Sequence, residues 1–215
     1  MKAQSSAFRG LVTLAPMLMA ILTCLAEERW HFTIRPEQSR FTIKVGKAGF
    51  FKMFGHNHLV VVQGFKGSVE WQPKAPEKSK VRLRVGASSL AVEDPGIKRK
   101  EREKIQKEME EKALVIEQYP DIRFESTELH LGGGVAGELK GNLIGRLSLR
   151  GVTSRVEIPL RLTVSEAELH VWGRFKLKGS DYGVPRISAA GGAVKTKDQL
   201  ELTFNFLASR EKGPP

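Results

Sequence analysis

Apolar and polar residues alternate with a period of two along most of this chain, most clearly in its last third. In residues 143–149, and again in residues 156–164, every second position is apolar or glycine. Such alternation is typical of a β-strand with one buried face. The segment RGVT, residues 150–153, lies between the two runs and contains a turn-forming glycine. The pattern therefore predicts an antiparallel hairpin.

The alternation extends to further segments that are separated by turns rich in glycine and proline. The predicted strands cover residues 32–34, 41–45, 59–62, 64–71, 81–85, 122–131, 139–149, 154–164, 169–177 and 200–208. A series of antiparallel strands leaves no exposed edge when it closes on itself. We therefore expect an all-β fold, an extended antiparallel β-barrel of about eight strands with one inserted charged helix.

Residues 97–116 have a helical period instead. The apolar positions that recur at helical spacing are Ile97, Ile105, Met109, Ala113 and Ile116. Lys, Arg and Glu occupy most other positions, and the pairs Glu103–Lys107 and Glu108–Lys112 have the i,i+4 order that stabilises helices. We predict one helix here, which ends before Pro120 because the residue preceding a proline is disfavoured in the α conformation. The charged face of this helix would be either exposed to solvent or in contact with an anion.

The first 26 residues have the pattern of a secretory signal peptide. The basic residues Lys2 and Arg9 precede an apolar run over residues 11–25. Positions 24 and 26 hold the small residues Cys24 and Ala26. The run is shorter than the ~20 residues that span a bilayer, although an uncleaved anchor stays an alternative. We expect cleavage after Ala26, so that residues 1–26 are the signal peptide and residues 27–215 form one barrel domain in the periplasm or outside the cell.

Charge and cysteine content limit the partners of that exported domain. Cys24 is the only cysteine, so removal of the leader would leave no thiol for a disulfide or a metal. Removal of Lys2 and Arg9 would lower the formal charge from +11 to +9. A basic exported protein meets anionic lipid before it meets nucleic acid, and we expect no nucleic-acid partner. The positive charge is compatible with contact with a membrane surface and also with a basic surface exposed to solvent. The sequence leaves open whether the protein is a homodimer.

Several short motifs occur in an order that resembles the YceI-like family. They are IRPEQSRFTI (34–43), GFKGS (64–68), YPDIRFES (119–126), GNL (141–143), RGVT (150–153), SDYGVP (180–185) and GAVKTKDQLEL (192–202). Each motif is short, but together they are distributed over nearly the whole exported chain.

This resemblance implies a lipocalin-like barrel whose interior holds the isoprenoid chain of a polyprenyl lipid or a quinone. It implies no catalytic residue, and the sequence contains no G-x-S-x-G, Walker or His-Glu-x-x-His motif. We therefore expect a binding protein and not an enzyme, with no cofactor apart from the bound lipid. A barrel of about eight strands is wide enough to admit one slender apolar ligand.

Strand parity selects the apolar residues that point into the barrel. The residues that we expect to face a ligand there are Phe41, Ile43, Phe65, Val69, Leu83, Phe124, Leu147, Phe175, Leu177, Phe204 and Phe206. The alternative for each is ordinary core packing, because a barrel interior also needs filling. Phe50, Phe51, Met53 and Phe54 lie in a segment without a clean period, and we expect them to contact the ligand at the mouth.

His56 and His58 have the spacing that places both imidazoles on one face of a strand. A Zn²⁺ or Cu²⁺ site needs further ligands, and nothing in the sequence joins another histidine to these two. We interpret them as residues that contact a lipid headgroup or gate the barrel, and we predict no metal site. A hydrogen-bonded turn is one alternative. The other is a periplasmic metal-binding or stress-response protein that uses the two histidines.

Overall fold

The computed structural model describes residues 28–48, 57–134, 137–189 and 194–211. The predicted signal peptide therefore lies outside the described residues. Within the described ranges the chain forms β1 (Trp30–Ile34), β2 (Arg40–Ala48), β3 (His58–Val62), β4 (Phe65–Trp71), β5 (Lys80–Gly86), β6 (Leu90–Val92), α1 (Arg99–Glu108), β7 (Asp121–Gly132), β8 (Leu139–Leu149), β9 (Val152–Val164), β10 (Glu168–Lys178), β11 (Ser188–Ala189) and β12 (Val194–Arg210). The short strands β6 and β11 were not expected from the alternation, because two or three residues are too few to show a period.

Eight of these strands close into an antiparallel barrel, as the sequence predicts. Their order around the barrel is β1, β4, β5, β7, β8, β9, β10 and β12, and β12 pairs back with β1. β12 is long enough to pair with β1 near its end, at Ala208–Arg210, and with β2 over Lys195–Asn205. β3 and β6 continue outward from β2. The predicted strands thus form one sheet that closes on itself.

The period of two places apolar side chains inside the barrel. In β9, for example, Val156, Ile158, Leu160 and Leu162 are buried, whereas the residues between them are exposed. The same alternation along β12 buries Leu202, Phe204 and Ala208. The core is therefore one continuous interior that all eight strands of the barrel line.

The helix covers one end of this barrel. We call this the helix end: it is where β5 and β10 finish and where β7 and β12 begin. No residue of α1 is fully buried, but Ile105 and Met109 pack against the core. No helix in the described part of the chain is long and apolar enough to cross a membrane.

The predicted helix is confirmed in place but differs in its charge pairs and in its end. Glu108 and Lys112 are paired at 3.2 Å, as expected, whereas Glu103 pairs with Arg99 at 2.7 Å instead of with Lys107. The α-helix is followed by a π-helical segment, Met109–Leu114, which ends at a left-handed Val115. A π-helix has a wider turn than an α-helix, and it usually occurs as a single-turn segment of a longer helix.

The hairpin between β8 and β9 has the tight turn that the sequence predicts. Leu149 pairs with Val152, and the two residues between them have positive φ angles, 52° at Arg150 and 76° at Gly151. Two residues with positive φ form the hairpin turn that matches the twist of antiparallel strands. The Tyr119 ring lies over Gly151, so a Cβ at Gly151 would lie 2.7 Å from Tyr119 Cε1.

We predict that Gly151→Ala destabilises the fold more than Gly183→Ala does. Both glycines have positive φ, 76° and 66°, but a Cβ at Gly183 meets no atom within 4 Å. The left-handed backbone costs about 1–2 kcal/mol for a residue with a side chain, and only Gly151→Ala adds the contact with Tyr119. Urea unfolding of both variants measures the difference, and equal losses would show that the Tyr119 contact is unimportant.

Candidate ligand-binding cavity

The barrel encloses an elongated cavity of about 610 Å³. It extends from Trp71 and Ser79, at the end opposite α1, to Ile105 and Met109 of the helix segment. Between these ends its wall is built almost entirely from the inward-facing apolar residues of the strands. Cavities of this size and composition are typical of small-molecule sites.

Most of the residues predicted to face a ligand line this cavity. They are Phe41, Ile43, Val69, Leu83, Phe124, Leu147, Phe175, Leu177, Phe204 and Phe206, together with His58. Strand parity found them because neighbouring side chains on a strand point to opposite faces. Phe50, Phe51, Met53, Phe54 and His56 lie outside the described residues, in the gap between β2 and β3.

Phe65 is the exception among the described residues. It is buried, but its ring packs 5.3 Å from the Phe206 ring and 6.4 Å from the Phe41 ring, and it does not line the main cavity. Phe65 instead borders a separate outer depression. Parity predicts that a side chain points inward but not that another ring lies between it and the cavity.

Two inward-facing glycines give space to aromatic rings in the wall. A Cβ at Gly145 would lie 2.6 Å from the Phe124 ring, and a Cβ at Gly173 would lie 2.6 Å from the Phe204 ring. Each ring therefore occupies the position that a side chain would take on the neighbouring strand. A larger residue at either glycine would push a ring towards the cavity, so these glycines help to keep the interior open.

The helix end of the cavity is polar, in contrast to the rest of the wall. Six cationic side chains line it: Lys47, Lys104, Arg123, Arg186, Lys195 and Lys197. Three carboxylates lie there too: Glu101, Glu108 and Asp198. The cationic side chains outnumber the carboxylates at this end, although Arg123 is itself paired with Asp121 at 3.0 Å and Glu108 with Lys112 at 3.2 Å. An apolar interior with one polar end suits an amphiphile.

Asp198 fixes the segment after β10 to β12. Both the backbone N–H and the hydroxyl of Ser180 donate to its carboxylate, each at 2.8 Å. These bonds, assisted by the charges of Lys178 and Arg186, lower the pKa of Asp198 below its ordinary value of 3.8. The carboxylate therefore stays ionised and keeps the rim of the helix end in place.

Gln106 joins α1 to the barrel through hydrogen bonds. Its Oε1 accepts a hydrogen bond from Val92 N–H at 2.8 Å, and its Nε2 donates to Leu90 O at 2.8 Å. The amide thus pairs with the free edge of β6 as another strand would. It also donates to Glu110 at 2.6 Å, which links the helix to the π-helical segment. Sequence analysis missed Gln106, because a glutamine on a charged helix gives no pattern.

His58, in the cavity wall, is paired with Asp94, which lies behind the wall. His58 Nδ1 lies 2.6 Å from Asp94 Oδ2, and the Asp94 side chain is only 2% exposed. Asp94 Oδ1 accepts the backbone N–H of Leu59. The sequence singled out His58 but not Asp94, which lies 36 residues away and meets it only because β3 pairs with β6.

We predict that Gln106→Ala loosens the helix from the barrel. The backbone groups of Leu90 and Val92 would lose their partner, and each hydrogen bond contributes about 0.5–1.5 kcal/mol. Amide exchange at Val92 should become faster than in the parent protein. Lys107→Ala, at the neighbouring exposed position, is the control. Unchanged protection of Val92 in Gln106→Ala would contradict the assigned role.

Acid should weaken the attachment that Asp198 makes. Because its folded-state pKa is lowered, the ionised carboxylate stabilises the fold above the ordinary pKa. This contribution is lost as the pH falls through the folded-state value. Urea unfolding from about pH 5 to about pH 2 should show a weaker pH dependence in Asp198→Asn than in the parent. Parallel curves of unfolding free energy against pH for the two proteins would contradict this role of Asp198.

Solved structures show what this barrel is similar to. The crystal structure of Burkholderia cenocepacia BcnA superimposes with a TM-score of 0.62 and 16% identity, covering 81% of this chain and 98% of that one. A polyisoprenoid binding domain from Saccharophagus degradans, implicated in plant cell wall breakdown, gives a TM-score of 0.59 and 11% identity, with coverage of 84% and 98%. Campylobacter jejuni YceI protein gives 0.55 and 16%, with coverage of 72% and 85%. At these identities the likeness establishes the fold.

The amino-acid sequence establishes the family. No curated protein matches the chain significantly. Residues 32–208, however, match the YceI-like domain, and this range begins within β1 and ends within β12, so it includes all or most of every strand that closes the barrel. The chain therefore belongs to the YceI-like family.

Proposed function

We propose that this protein binds a lipid with an isoprenoid chain, such as a polyprenyl lipid or a quinone. The observation that carries the proposal is the apolar cavity of about 610 Å³ with one polar end. The chain of the lipid would lie along the barrel, and its head would lie near α1. Membership of the YceI-like family supports the proposal, as does the fold shared with a polyisoprenoid binding domain.

Burial of the chain is sufficient to hold such a ligand. Each CH₂ group moved from water into an apolar site contributes about 0.8 kcal/mol. The inward faces of β8, β9 and β12 offer mainly Leu, Ile, Val and Phe, so few polar contacts are needed along the chain. Specific polar groups are required only where the head lies. The mechanism is therefore sequestration, and no catalytic step is part of it.

Loading would take place at a membrane surface, with the helix end facing the lipid. The cationic side chains there outnumber the carboxylates, and anionic headgroups attract such a surface. The N-terminal sequence pattern supports export, which would bring residues 27–215 to the periplasm or to the outside of the cell. Salt would weaken the electrostatic attraction between the protein and the membrane without weakening the binding of the buried lipid chain.

Metal binding through His56 and His58 is less well supported. Among the described residues, no three His, Cys, Asp or Glu side chains lie close enough together to hold a metal ion. His58 could offer a metal only Nε2, because Nδ1 is bonded to Asp94. The arrangement around His58 fits a role in orienting a lipid head better than a role in coordination.

We expect the protein purified without detergent to carry a polyprenyl species, detectable by mass spectrometry of an organic extract. Phe175→Asp would place a charge in the apolar wall, and a buried unpaired charge is strongly disfavoured. That variant should be empty. Lys176→Asp is the matched control, since the neighbouring side chain is exposed on the outer face of β10. It should keep its lipid.

Thermal unfolding must show that both variants are folded. A parent protein that stays empty, and that binds no polyprenol when it is added, would contradict the proposal. Equal lipid content in Phe175→Asp and Lys176→Asp would contradict the placement of the chain inside the barrel.

A further inference from the structure

We propose that His58 and Asp94 select a lipid whose head carries a hydroxyl group. This inference rests on the proposed lipid-binding function and specifies the ligand of the same cavity. The hydroxyl of a polyprenol, a phenol or a reduced quinol would donate to His58 Nε2. A quinone or an ether, which can only accept hydrogen bonds, would leave that nitrogen unpaired.

Asp94 is held in a fixed position by the strands around it. β3 and β6 pair from Val60↔Val92 to Val62↔Leu90, and Glu93 N–H then donates to Leu59 O at 2.8 Å. Asp94 follows directly, and its Oδ1 accepts Leu59 N–H. β3 and β6 together thus aim the other carboxylate oxygen at the His58 ring.

The carboxylate determines which nitrogen of a neutral His58 carries the hydrogen. An ionised aspartate can only accept hydrogen bonds. Nδ1, 2.6 Å from Asp94 Oδ2, must therefore be the donor. In the neutral ring the other nitrogen, Nε2, is then an acceptor. Among the described residues Nε2 has no hydrogen-bond partner, and His58 lines the cavity.

His58 lies next to the polar helix end of the cavity. It pairs with Val45 of β2, and a Cβ at the next residue, Gly46, would lie 2.8 Å from Lys197 Cδ. Lys47 follows on the same strand. A hydroxyl bound to His58 Nε2 would therefore lie beside the cationic side chains of the helix end, while the apolar chain extends into the barrel.

Two probes with the same chain test the inference. Geranylgeraniol and its methyl ether differ only in that a methyl group replaces the hydroxyl hydrogen. We expect the parent protein to bind the alcohol roughly tenfold more tightly, as one hydrogen bond provides. In His58→Phe the preference should disappear while the ether still binds. His130→Phe, at an exposed position on β7, is the control and should keep the preference.

Asp94→Asn should abolish or reverse the preference for the alcohol over the ether. The asparagine oxygen can accept Leu59 N–H, and its amide can donate to His58 Nδ1. The ring hydrogen would then move to Nε2, which becomes a donor. We expect this variant to bind the ether at least as tightly as the alcohol. The ¹⁵N chemical shifts of the His58 ring, measured with and without alcohol, should show hydrogen on Nδ1 in the parent and on Nε2 in Asp94→Asn.

The possible results separate this inference from the proposed function. Equal affinity of the parent for both probes would overturn the inference and leave lipid binding intact. A parent ring that carries hydrogen on both nitrogens with the alcohol bound would also overturn it, even if Asp94→Asn does not fold. Failure of both probes to bind would overturn the proposed function and the inference with it.

Discussion

The pairing of β12 with three different strands is the constraint on which the structure depends. Its 17 residues pair with β10 along most of its length, with β2 over its first part and with β1 at its end. The last of these pairings closes the barrel. Closure removes the free edges that eight strands would otherwise expose, and it forces every second residue of each strand into one enclosed interior. The cavity is a consequence of that closure.

The interior is incompletely filled, and the reason lies in particular residues. Protein cores normally pack as densely as organic crystals. Here Gly145 and Gly173 point inward, and the rings of Phe124 and Phe204 lie over them instead of reaching the barrel axis. A wall of this kind stabilises the barrel through contacts between neighbouring strands and leaves the axis available. The polar groups at the helix end make the two ends of the otherwise apolar interior different.

Much of this arrangement was predictable from the sequence, because period-two alternation fixes the faces of strands before any contact is known. It predicted the β8–β9 hairpin, the closed barrel and a set of inward-facing apolar residues, most of which line the cavity. Local pattern could not predict that Phe65 lies behind other rings. It also could not find Gln106 or Asp94, because the strand residues that they bond lie 14 or more residues away along the chain. The signal peptide stays a prediction, since residues 1–26 lie outside the described part of the chain.

A crystal structure of the protein with a long-chain polyprenol would test the account most directly. We expect the chain to lie along the barrel axis in contact with Phe175 and Phe204, with its hydroxyl within hydrogen-bond distance of His58 Nε2. Density for the polyprenol on the outer surface, for example in the depression beside Phe65, with an unoccupied barrel interior would contradict the central claim.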